Sequence, residues 1–146
     1  MAVMGGVTWI SKLITNSTLI PVIDGSYIQE LFPNLCSATF VLECSAGCRR
    51  IMGSFLESLL VANTYRGELL GLMVIHLILL SINKIHRNLA GSVVIVSDCL
   101  GALNRVTYLP PYRIPSCCCH SDIVKNILIY CRDLTFTTYY LHIKAH

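Results

Sequence analysis

The sequence predicts an α/β domain: one mixed five-stranded sheet with flanking helices, in the order βββαβααβ. Three observations predict it. Short β-branched runs punctuated by Gly, Asp and Pro fill the first third of the chain. One long apolar segment of helical character follows. After it comes SVVIVS, a continuous run that suits a parallel strand buried on both faces. A strand, a helical crossover and a strand imply parallel pairing, so the sheet carries a hairpin at one edge and parallel strands at the other.

The elements follow in order. Residues 1–17 are left without an assigned element. From Ser17, STLIPVIDGSYI reads as a strand in which Val22 and Ile23 lead into the turn-type cluster Asp24-Gly25-Ser26. Pro21 lacks an N–H and is uncomfortable in a central strand, so the strand either starts after it or holds it as its first residue. Phe32-Pro33-Asn34 is loop, and Ala38 to Cys44 is the second strand. Gly47 marks a turn into a third strand, Arg49 to Leu56. Tyr65 to Ile82 is a helix with Asn63 or Thr64 as its cap and Glu68 in its first turn. Ser92 to Ser97 is the fourth strand and ends at Asp98. A short helix, Leu100 to Val106, precedes a loop holding Pro110, Pro111 and Pro115. Ser121 or Asp122 caps a helix that reaches Arg132, and Leu134 to Ile143 is the last strand.

Composition narrows the class. The chain has 146 residues, enough for one core, with 54% hydrophobic and 13% charged residues. Such a chain buries enough surface to offset its ordering entropy, which excludes disorder. Nine Gly and five Pro exclude a collagen-like fibre. The longest apolar run, Leu69 to Ile82, is shorter than the ~20 residues a membrane-spanning helix needs. The N-terminus lacks the basic start of a secretory signal. A net charge of +3 is far from that of a protein that holds nucleic acid by charge alone. Eight cysteines, three of them adjacent (Cys117, Cys118, Cys119), read as reduced thiols in an intracellular protein. A zinc site built from Cys117, Cys118, Cys119 and His120 with Cys44 and Cys48 is disfavoured, because adjacent cysteines do not converge on one ion. His76, midway along the apolar helix, reads as a core histidine. Trp9 and the segment Tyr108 to Tyr112 suit either base stacking or loop packing.

Only eight carboxylates are present, and three stand out. Asp24 and Asp98 each follow the apolar end of a strand, and Glu68 lies near the start of the crossover helix. In an open sheet, ligands bind beyond the carboxyl ends of the parallel strands. If the first and fourth strands are neighbours, both aspartates project at that edge and Glu68 reaches it from above. Three converging carboxylates need a cation to offset their repulsion, and an all-oxygen site suits Mg²⁺ or Mn²⁺. Taken singly, each acidic residue is equally an ordinary turn or helix-start charge; the reading rests on the three together.

These residues resemble ribonuclease H. Ile23-Asp24-Gly25-Ser26 is similar to that family's first motif, and Asn63 to Leu72 to its second, a polar stretch followed by the helix-borne Glu. Val96-Ser97-Asp98-Cys99 is similar to the third, and His142-Ile143-Lys144-Ala145-His146 to the segment that closes the last strand with Lys-x-His. The resemblance spans residues 18–146 and is closest in character to the ribonuclease H-like domain of a retroelement polyprotein. It implies that Asp24, Glu68 and Asp98 ligate divalent metal, and that His146 assists proton transfer or product departure. It implies hydrolysis of the RNA strand of RNA–DNA hybrids. Ser26, Asn63, Arg66, Arg49 and Arg50 suit contacts to the nucleic-acid backbone or, equally, a solvated surface. Integrases and transposases place the helical Glu last, whereas here it comes second. The family adds a final helix with a fourth carboxylate beyond the Lys-x-His. The sequence stops at His146, so a second expectation stands beside the first: a remnant without catalysis that binds nucleic acid or a partner. A small membrane-associated protein is the third.

Overall fold

The computed structural model describes residues 2–26, 35–47, 49–58, 63–108 and 120–144. Its elements are α1 (Ala2–Thr15), β1 (Leu19–Ser26), β2 (Leu35–Cys44), β3 (Arg50–Ser58), α2 (Thr64–Ile85), β4 (Ser92–Ser97), α3 (Leu100–Tyr108), α4 (Ser121–Arg132) and β5 (Thr137–His142). The five strands form one sheet in the order β3-β2-β1-β4-β5. The first three make an antiparallel meander, and β1 pairs β4, and β4 pairs β5, in parallel. This is the mixed sheet that the element pattern predicts, preceded by a helix that it does not. The stretch 1–17 holds α1, whose Ile10 and Ile14 are buried in the common core. Two glycines and no capping signal hide that helix in the sequence. Its apolar side chains stabilise it through tertiary burial, not propensity.

The central helix α2 packs on the sheet face that carries Ile23, Leu42, Val93 and Ile95, all buried. Its N-cap is Asn63, whose Oδ1 accepts the Arg66 N–H at 2.7 Å. Two glycines let helix and sheet approach closely. A methyl group on Gly71 would collide with the Ile23 side chain, and one on Gly25 would stand 2.6 Å from the Glu68 nitrogen. The mean hydropathy of α2 reaches 1.8 over 18 residues, enough by length and composition to cross a membrane, yet 61% of that window is buried inside the domain. Burial on that scale is what a core helix requires.

Four local expectations need correction. Glu68 is not in the first turn of α2: the helix starts at Thr64, so Glu68 is its fifth residue and lies above the sheet edge. Neither Ser121 nor Asp122 caps α4. The cap position is His120 in the left-handed conformation (φ 60°), without a side-chain cap bond. Pro21 lies inside β1, not at its start, and is tolerated because the paired positions of the β4 ladder begin at Val22. The last strand is shorter than expected because Thr135 is taken by α2: Asn83 Oδ1 accepts its N–H at 2.8 Å.

His76 is fully buried on α2. Its Nδ1 contacts the Leu72 carbonyl at 2.7 Å, and its Nε2 contacts the Tyr140 hydroxyl at 2.7 Å. A carbonyl only accepts, so Nδ1 carries the proton and Nε2 accepts from tyrosine. Burial pushes its pKa down to about 4, so the ring is neutral. It is a satisfied core histidine, as the sequence suggests. Cys36, Cys99 and Cys131 are free thiols. Of the disfavoured zinc set, Cys44 is buried in β2, and Cys48 and Cys117 to Cys119 lie outside the described residues.

Candidate metal centre

The parallel register builds the site. Val22 pairs with Val96 and Ile23 with Ser97, so the next residue on each strand, Asp24 and Asp98, stands at the same carboxyl edge. Glu68 reaches the edge from α2, and one ligand oxygen from each of Asp24, Glu68 and Asp98 lies within 4.8 Å of the others. Their exposures differ: Asp24 is exposed, Asp98 half-buried and Glu68 4% exposed.

Glu68 is the most constrained of the three. Its Oε1 accepts the Gly25 N–H at 2.7 Å, and its Oε2 accepts the Ser97 hydroxyl at 3.4 Å. Burial raises its pKa most; the charges of Asp98 and Asp24 raise it further, against the lowering effect of the Gly25 and Ser97 bonds. None of the three carboxylates has a Lys or Arg ion-pair partner among the described residues. Uncompensated negative charge on three converging oxygens fits a hard divalent cation.

The Asp98 turn is held from three sides. Ile143 N–H donates to the Ser97 carbonyl at 3.1 Å, Cys99 N–H donates to Ser97 Oγ at 3.1 Å, and His142 Nε2 contacts the Asp98 carbonyl at 3.1 Å. Gly25, Ser97 and His142 were not singled out as site residues by sequence reasoning. The signal for two of them was present, since Gly25 and Ser97 each adjoin a predicted ligand.

Of the predicted substrate contacts, Arg66 turns inward. Its side chain is 7% exposed, and its Nη2 meets Glu57 at 2.8 Å and Asp122 at 3.1 Å. Its Nη1 contacts His120 Nδ1 at 3.1 Å. Burial works against the charged guanidinium, but Glu57 and Asp122 outweigh it and raise its pKa. The same network lowers the pKa of Asp122, chiefly through the Arg66 hydrogen bond, and that of His120, through burial and then Arg66. Arg66 therefore ties β3, α2 and α4 together and is not presented to solvent. Asn63 is half-buried, with its oxygen used in the helix cap. Arg49 and Arg50 are exposed, and the Arg49 guanidinium lies 5.9 Å from the centre of the half-buried Trp9 ring. Ser26 is the last residue of β1. His146 and the loop tyrosine Tyr112 lie outside the described residues.

The fold has clear counterparts among solved structures. An RNase H1 isolated from compost by metagenomics, solved with an RNA/DNA hybrid, aligns with a TM-score of 0.65 at 12% identity, over 86% of this chain and 85% of that one. The prototype foamy virus RNase H domain aligns with a TM-score of 0.60 at 14% identity, over 88% of this chain and 80% of that one. A foamy viral protease–reverse transcriptase solved with dsDNA aligns with a TM-score of 0.62 at 19% identity, over 91% of this chain and 85% of that one. No protein-family profile and no curated protein matches the sequence. The chain has the ribonuclease H-like fold.

Proposed function

We propose that this chain is a ribonuclease H-type nuclease that hydrolyses the RNA strand of RNA–DNA hybrids, with Mg²⁺ or Mn²⁺ held by Asp24, Glu68 and Asp98. One observation carries the reading: three carboxylates with no Lys or Arg ion-pair partner among the described residues converge within 4.8 Å at the carboxyl edge of β1 and β4. A bound divalent cation supplies Lewis-acid stabilisation of charge developing on the phosphodiester oxygens.

The chain's own groups divide the remaining work. Gly25 and Ser97 hold Glu68 so that its two oxygens keep fixed directions toward the edge. Asp24 is the exposed member of the three and the one proposed to meet an incoming strand. Ser26 and Asn63 are the proposed contacts to the sugar–phosphate backbone, where 2′-hydroxyls distinguish RNA from DNA. Asn63 Oδ1 is committed to the helix cap, so its amide N–H groups are the donors for this purpose. His146 would serve proton transfer or product departure from beyond β5. Arg66 acts at a distance, by fixing the start of α2.

The likeness to foamy virus structures supports a retroelement origin, with the rest of a polyprotein as partner. The free thiols of Cys36, Cys99 and Cys131 support an intracellular setting. A second reading, a ribonuclease H-like module that binds nucleic acid without cleaving it, draws on the size of the cluster: three carboxylates, with no fourth among the described residues.

Hybrid cleavage by the purified chain in Mg²⁺ or Mn²⁺ is the test. Loss of cleavage in Asp24→Asn and Asp98→Asn supports the ligand assignment, and cleavage that survives both rejects it. Hybrid binding without cleavage in either metal selects the second reading.

A further inference from the structure

We infer that His142 is a positioning residue for the metal centre, holding the peptide that carries Asp98. The inference rests on the nuclease reading above only in taking Asp98 as a metal ligand. His142 is the last residue of β5 and pairs in register with Ser97, so both side chains lie on the sheet face that carries Glu68. Beyond Ser97 the β4–β5 ladder ends, and the Asp98 carbonyl has no strand partner. His142 Nε2 reaches it at 3.1 Å. The carbonyl can only accept, so Nε2 is the protonated nitrogen and donates.

That bond completes the clamp on the turn. Ser97 is held at its carbonyl by Ile143 N–H and at its hydroxyl by Cys99 N–H. The Asp98 carbonyl lies between these two anchors, and His142 removes its remaining freedom to rotate. The orientation of this peptide sets the Cα–Cβ direction of Asp98, and so where its carboxylate meets those of Asp24 and Glu68. Groups that orient a metal's carboxylate ligands tune its affinity without touching the ion. The histidine is exposed, so core packing does not require it.

The test is a Mn²⁺ binding titration on the whole chain, followed by calorimetry, with His142→Leu and His142→Gln. Gln places an amide N–H close to the position of Nε2, whereas Leu has no donor. We expect Leu to weaken Mn²⁺ binding about three- to tenfold, the worth of one lost hydrogen bond. Gln should restore binding to within about twofold, with the Tm of both variants near that of the parent. A merely structural role would lower Tm in both variants and would not separate Leu from Gln. Equal Mn²⁺ affinity in parent and Leu variant, or no rescue by Gln, overturns the inference while leaving the metal centre intact. A parent chain that binds no Mn²⁺ overturns both.

Discussion

Replacing Gly25 with alanine asks whether the contact between β1 and α2 sets the Glu68 carboxylate in place. A Cβ on residue 25 would stand 2.6 Å from the Glu68 nitrogen, 2.9 Å from the Gly67 carbonyl carbon and 3.0 Å from Glu68 Cδ. Ordinary contact begins at 3.4 Å, so strand and helix must part by about 0.8 Å. Two of the three atoms are backbone, so no rotamer change relieves the clash. Overpacking of this kind costs about 1–3 kcal/mol. The same displacement stretches the 2.7 Å bond from Gly25 N–H to Glu68. Such a bond to a charged acceptor is worth about 1.5–3 kcal/mol, of which part is lost. A total near 3 kcal/mol lowers Tm by roughly 6–12 °C in a chain of this size. Moving a catalytic carboxylate by nearly 1 Å costs on the order of 100-fold in rate. Thermal unfolding followed by circular dichroism and single-turnover hybrid cleavage measure the two effects. Gly101→Ala is the control: its Cβ would lie 3.6 Å from Tyr65 Cε2, an ordinary contact, on an exposed part of α3. It should gain about 0.5–1 kcal/mol, the usual benefit of Ala over Gly inside a helix. A Gly25→Ala protein with unchanged Tm and a rate within twofold of the parent would falsify the account of this contact.

The other predictions concern charge. Glu68→Gln abolishes cleavage yet raises the Tm of metal-free protein. Burial and the two aspartates disfavour its ionised form, and glutamine keeps an acceptor for Gly25; a lower Tm would contradict that electrostatic account. His76 gives a pH dependence of definite sign. Its folded pKa of about 4 lies below the ordinary 6.5, so the unfolded chain binds more protons between those values. Stability is full above pH 6.5 and falls as pH drops toward 4, by about 3 kcal/mol if the whole shift is expressed. Urea midpoints from pH 4 to 7 should therefore be flatter for His76→Phe than for the parent, and parallel curves would refute this. Arg66→Met strands Glu57 and Asp122. Breaking a buried pair costs about 3–5 kcal/mol, and the exposure of Asp122 reduces this to about 2–3 kcal/mol in urea unfolding. A loss below about 0.5 kcal/mol, the level of a surface pair, would deny the network its structural role.

Much of this protein is written locally. SVVIVS specifies a buried strand because six small and β-branched residues fit nowhere else so well, and the structure places β4 on those residues. Asp24, Glu68 and Asp98 are legible because carboxylates are scarce in this chain and each adjoins an apolar element. The order of strands and crossover helix then permits one sheet edge to collect them. What the sequence leaves open depends on neighbours distant along the chain. α1 exists because Ile10 and Ile14 find the core, a gain invisible in its own residues. Arg66 resembles a surface cation until Glu57 and Asp122 arrive from β3 and α4 to pair it. His142 is one strand residue among many until the parallel register sets it beside the Asp98 turn. Local pattern determines which elements form and which acids are conspicuous. Only the tertiary structure decides which charges are neutralised and which stay bare, because pairing and desolvation depend on distances that sequence separation does not encode.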